Sequence, residues 1–85
     1  MIVKKVERNG REFMSLKSRV HLSTHFDDED QRRQADIVLE NNEYYVVDFY
    51  EDGLLVESRI MKTDGVYHSE SYAESAAENW CLGYM

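Results

Sequence analysis

The chain is 85 residues long, 42% hydrophobic and 12% aromatic, which bounds it to one small domain with a real core. Its single cysteine, Cys81, excludes an intrachain disulfide and a cysteine-based zinc cluster. The net charge of −7 is unevenly placed: residues 1–25 carry six basic and two acidic side chains, whereas residues 26–85 carry four basic and fifteen acidic ones, a net −11.

At the start, Met1-Ile2-Val3-Lys4-Lys5-Val6 has no apolar leader core, and no apolar run approaches the roughly 20 residues needed to cross a bilayer. A cytoplasmic chain is expected. Residues 1–26 read as a basic hairpin and strand region. Asn9-Gly10 separates Ile2–Glu7 from Glu12–Leu16 as a type I′ turn would. Val20, Leu22 and Phe26 then alternate with Arg19, His21, Ser23 and His25, predicting an extended segment with a dry and a wet face. Residues 27–35 are a charged stretch, either a loop or a short helix; as a helix, Asp28/Arg32 and Glu29/Arg33 pair at i,i+4.

Residues 36–61 read as a β-meander. Ile37–Leu39, Glu43–Glu51 and Leu54–Met61 are rich in β-branched and aromatic residues, separated by Asn41-Asn42 and Asp52-Gly53. A two-residue turn at Asp52-Gly53 sets Phe49 against Val56, Val47 against Ser58 and Asp48 against Glu57. The second face then carries Tyr44, Val46, Tyr50, Leu55 and Met61, which want cover, so a homodimer is expected. Ala73, Ala76, Ala77, Trp80 and Cys81 fall at helical spacing within residues 69–82. Ser71-Tyr72-Ala73-Glu74 resembles a capping box and Gly83 suits a left-handed C-terminal residue. The fold class is therefore α+β: an antiparallel sheet of three to five strands with a C-terminal helix on one face.

Few constellations suggest chemistry. His21 and His25 have metal-ligand spacing only on a helix; in a strand they stand roughly 13 Å apart, so no metal and no cofactor is expected. Asp48 and Glu57, set opposite one another, could share a proton, with Arg59 diagonal to them. Cys81 lies on the apolar stripe as a buried thiol without a base. No phosphate-cradling or nucleophile-elbow pattern occurs, so no enzymatic activity is expected. Glu70, Glu74 and Glu78 form an acidic ridge at i,i+4,i+8, either a solvated helix back or a surface whose repulsion a basic partner relieves. The order of three strands and a helix is that of some DNA-reading modules. Here, however, residues 36–61 contain seven acidic residues against Arg59 alone, which disfavours nucleic-acid binding.

The tail Tyr72-Ala73-Glu74-Ser75-Ala76-Ala77-Glu78-Asn79-Trp80, following a hairpin that ends at Met61, resembles small accessory proteins of tailed bacteriophages. That resemblance implies a protein that acts on host machinery by binding. Together these readings predict a non-catalytic acidic protein that engages a basic or nucleic-acid-binding protein through Glu70, Glu74, Glu78, Asp48 and Glu57. The alternative is an oligomeric nucleotide or small-ligand binder in which Lys4, Lys5, Arg8 and Arg11 meet phosphates and Tyr44 or Tyr50 stacks on a base. A third reading gives the basic hairpin to nucleic acid.

Overall fold

The computed structural model describes residues 3–7 in their backbone, residues 19–27 and residues 32–84. The expected Asn9-Gly10 turn, the strand Glu12–Leu16 and the middle of the charged stretch, residues 28–31, lie outside the described residues. Strands β1 (Val3–Glu7), β2 (Arg19–Asp27), β3 (Arg33–Glu40), β4 (Tyr44–Glu51) and β5 (Leu54–Ile60) form one antiparallel sheet in chain order. A small hairpin, β6 (Lys62–Thr63) and β7 (Val66–Tyr67), leads into helix α1 (Glu70–Leu82). The fold is α+β. The sheet includes Arg33-Gln34-Ala35, three residues before the meander expected from sequence, because these extend the β3–β4 ladder to Glu51.

Two Asp-Gly turns shape the second half. Asp52 and Gly53 take φ of 52° and 82°, and Asp64 and Gly65 take 50° and 81°, so each pair turns the chain tightly with both residues left-handed. The second turn makes the β6–β7 hairpin, which the sequence reading did not foresee although it carries the same signal as the first.

Helix α1 lays Ala73, Ala77 and Cys81 onto Ala35, Ile37, Val47, Phe49 and Met61. Alanines let the helix backbone approach the sheet closely, and larger groups fill its flanks. Trp80, half-buried, tilts against Phe49 with ring centroids 5.2 Å apart, and its indole N–H donates to the Tyr50 carbonyl at 3.0 Å. The Arg33 guanidinium also lies over the indole, 4.3 Å from its centroid. The helix starts two residues before the expected capping box. Ser69 is the N-cap and accepts from the Tyr72 amide at 3.4 Å, leaving Ser71 and Glu74 inside the helix. At the other end Gly83, at φ 82°, donates to Trp80 O while Tyr84 donates to Asn79 O, a Schellman closure.

Two bulges overturn the expected faces. In β2 the register slips between His21 and Ser23, so Leu22 is the extra residue. Ser23, His25 and Asp27 are consequently buried, while Leu22 and Phe26 are only partly so. The predicted dry face of Val20, Leu22 and Phe26 holds for Val20 and for Leu22, which packs against the helix-side core, and fails at Phe26, because one inserted residue exchanges the faces beyond it. In β5 the slip falls at Val56: Glu51 still meets Leu54 and Tyr50 meets Leu55, but Phe49 then meets Glu57 and Asp48 meets Ser58. Asp48 and Glu57 are therefore not opposite each other, and they lie on different faces.

The face away from α1 is also better covered than expected. Val38 and Val46 are buried there, Tyr50 is half-buried, and Tyr44 stacks on Tyr67 at 5.2 Å. Met61 belongs to the helix-side core. Of the five residues said to want cover, Leu55 alone is exposed, so the reason given for a homodimer does not hold on this face.

Candidate functional site

A polar network crosses the open face, built by strand alternation from β2, β3, β4 and β5. Asp36 and Asp48 stand directly opposite each other, a like-charge cross-strand pair that a sheet tolerates only when both are answered. Asp48, buried, accepts from Arg19 Nη2 at 2.8 Å and Ser58 Oγ at 2.6 Å. Arg19 Nε also donates to Glu40 at 2.9 Å; this bond above all raises the guanidinium pKa, with burial opposing it and Asp48 adding to it. Asp36 accepts from Thr24 Oγ1 and Gln34 Nε2, both at 3.0 Å, and its second oxygen lies 3.7 Å from His21 Nε2. The carboxylate pair expected from sequence thus exists with a different partner, Asp36 in place of Glu57.

Both carboxylates of this network are answered, while His21 Nδ1 at its margin is buried with no hydrogen-bond partner among the described residues. Loss of solvent, and then the charges of Asp36 and Asp48, push the Tyr50 phenol up, with Arg19 opposing them. A nucleotide stacked on Tyr50 would bring phosphates toward two carboxylates, which is electrostatically unfavourable. His21 and His25, separated by the β2 bulge, pair with Val38 and Ala35 and point to opposite faces, so they cannot share a metal ion. Among the described residues no group of three ligating side chains converges on one point.

One corner of the open face is less closed. Tyr44 donates to Glu40 Oε1 at 3.3 Å, and its phenol is pushed up by lost solvent and then by Glu40, Tyr67 and Glu43. Its stacked neighbour Tyr67 holds Lys62 Nζ 4.8 Å from the ring centroid. Carboxylates beside stacked tyrosines attract cations, and Lys62 is an internal instance.

The other sequence-predicted residues are dispersed. Glu57, exposed on β5, takes both Nε and Nη2 of Arg59 at 3.0 Å. Along α1, Glu70 and Glu74 are half-buried and only Glu78 is exposed. The opposite flank of the helix, Tyr72, Ser75, Ala76 and Asn79, faces β5 across a groove of about 400 Å³ that Arg59 and Lys62 also line. The glutamates therefore lie on the flank toward β1 and β2, the strands carrying the basic segment. Lys4 and Lys5 fall on β1; Arg8 and Arg11 lie outside the described residues.

A second recess of about 160 Å³ lies at the end of α1, where Cys81 meets Asp27, Arg33 and Glu51. Burial, followed by the Asp27 charge, pushes the thiol up to about 12, so it stays protonated and unreactive at neutral pH. Sequence periodicity had placed Cys81 on the buried stripe; Asp27 beside it was hidden by the β2 bulge.

Compared with protein-family models, curated proteins and solved structures, the chain finds no match. No helix among the described residues is long and apolar enough to cross a membrane.

Proposed function

We propose that the chain is a non-catalytic acidic binding protein that docks on a basic protein surface, as an accessory protein that modulates a host nucleic-acid-binding protein would. The observation that carries this reading is the state of the four cations in residues 26–85. Arg32 is paired with Glu51 and Asp52, Arg33 with Glu51 and the Trp80 ring, Arg59 with Glu57, and Lys62 lies over Tyr67. Each is engaged within the fold, so the remaining acidic excess faces outward at Glu43, Asp64 and Glu78, all exposed. Such a field speeds encounter with basic partners and repels polyphosphates.

The Glu40–Glu43–Tyr44–Tyr67 corner supplies a contact where an arginine or lysine of the partner can meet both charge and ring. Titration of a basic protein probe, a histone-like protein, and of duplex DNA against the chain over a salt series tests the reading. The basic probe is expected to bind more weakly as salt rises, and Glu43→Gln with Glu78→Gln to slow its association. Duplex DNA binding that requires Lys4, Lys5, Arg8 or Arg11 would replace this reading with the basic-hairpin one.

A further inference from the structure

Strand β5 is the feature of the fold that the proposed function does not use. It closes the sheet at one side, and all seven of its residues are exposed, Leu54 at 72%, Val56 at 56%, Leu55 at 55% and Ile60 at 46%. An edge strand of this length is a template for another strand, and proteins usually blunt such edges with prolines, inward charges or a covering loop. Here the chain has no proline, and α1 passes over β2, β3 and β4, leaving β5 beyond its flank. The two charges on the strand do not blunt it, because they answer each other.

We propose that β5 pairs antiparallel with β5 of a second copy of this chain, about a two-fold axis through Ser58, joining the two five-stranded sheets into one. The segment from the bulged Val56 onward, Val56-Glu57-Ser58-Arg59-Ile60, is complementary to itself in this register. Glu57 faces Arg59 of the partner on the helix side, since these residues sit opposite Phe49 and Val47 of the core. Ser58 faces Ser58, and Val56 faces Ile60 on the open side, where Ile60 and Ser58 stand opposite Val46 and Asp48. The existing Glu57–Arg59 pair, with both nitrogens at 3.0 Å from carboxylate oxygens, already holds the two side chains on one face.

Neighbouring registers lose this match. An axis through Glu57 sets the two glutamates opposite each other, and an axis through Arg59 sets the two arginines opposite each other. The axis through Ser58 alone pairs opposite charges and apolar side chains together. It also brings the two grooves beside Arg59 and Lys62 to either side of one seam, flanked by the two helices. The proposal stands apart from the acidic-docking reading: it uses a different edge and different residues.

Sedimentation equilibrium with charge reversal tests it. The native chain is expected to dimerise at micromolar to high micromolar concentration. Arg59→Glu, which sets like charges opposite at two symmetric places, is expected to weaken the dimer by about tenfold or more. Glu57→Arg alone should do the same, and the double variant Glu57→Arg with Arg59→Glu should recover the dimer. Circular dichroism confirms that each variant remains folded.

Register is read separately. Ser58→Cys is expected to form an interchain disulfide on mild oxidation, since facing Cα atoms of an antiparallel pair lie about 4.5–5.5 Å apart. Leu55→Cys places the two thiols roughly 20 Å apart along the strands and should not link. A native chain that sediments as a monomer at high micromolar concentration overturns the proposal, as does failure of the double swap to restore association. Linking at Leu55 and not at Ser58 would assign another register and overturn this one.

Discussion

Strands β4 and β5 are arms of one hairpin, similar in composition, and the fold treats them oppositely. β4 buries Val46, Val47, Asp48 and Phe49 in succession, whereas no residue of β5 is buried. Val47 is 0% exposed and Leu54 72%. Apolar composition therefore does not decide burial here; position in the sheet does, since α1 covers Val47 and Phe49 while β3 and β5 flank Val46 and Asp48 on the other face. Ala73, Ala77 and Cys81 set α1 over β3 and β4, and the helix extends from there toward β2 and β1, which leaves β5 beyond its other flank. An apolar strand left beyond the cover is a surface for another chain.

The contrast can be broken from its buried side with the largest effect. Phe49→Ala removes the largest fully buried side chain and is expected to cost about 3–5 kcal/mol, enough to unfold a domain of this size in a denaturant titration. Trp80→Ala should cost somewhat less, about 3 kcal/mol, because the indole is half-buried; it removes the Phe49 contact, the bond to Tyr50 O and the seat of Arg33. Loss of the blue-shifted tryptophan emission on unfolding gives the readout for the other variants.

Alkali probes the same interface. The Cys81 pKa is raised from 9.0 to about 12 in the folded chain, so the folded state holds a proton that the unfolded state releases. The stabilisation is whole below pH 9 and declines as pH climbs toward 12. The denaturant midpoint should fall across pH 9–11, and with a shallower slope in Cys81→Val. A thiol reagent at pH 8 should label Cys81 only as fast as the chain unfolds.

Much of this was legible in the sequence, and what was not has a common cause. The helix showed in its alanine spacing, its end showed at Gly83, and the β4–β5 turn showed at Asp52-Gly53. The two bulges did not show. Each adds one residue to a strand, and with a side-chain period of two, each reverses every assignment beyond it. That is why Ser23, His25 and Asp27 are buried where Leu22 and Phe26 seemed better suited, and why Asp48 meets Ser58 instead of Glu57. The acidic ridge failed as an outward crest for another reason: helical spacing aligns Glu70, Glu74 and Glu78 but does not say which flank the sheet lies under. The Asp64-Gly65 hairpin carries in the sequence the same Asp-Gly signal as the β4–β5 turn.

Smaller changes sharpen the comparison. Gly83→Ala forces a side chain into left-handed backbone, with no neighbour within 4 Å of the added carbon, so strain alone should cost about 1 kcal/mol. On the exposed side, Ile60→Thr and Val56→Thr should change the stability of the dilute monomer by no more than about 0.5 kcal/mol. The same substitutions in β4, at Val46 or Val47, should cost several times more.

The most direct test of the account is amide hydrogen exchange of β4 and β5 followed over protein concentration. In dilute solution β4 amides should be protected by the core, whereas the outward amides of Val56–Ile60 should exchange rapidly. At high micromolar concentration protection should rise across Val56–Ile60 alone, with β4 unchanged. Protection in β5 that equals that of β4 at every dilution, or that never rises with concentration, would contradict the claim that β5 is an uncovered edge awaiting a second chain.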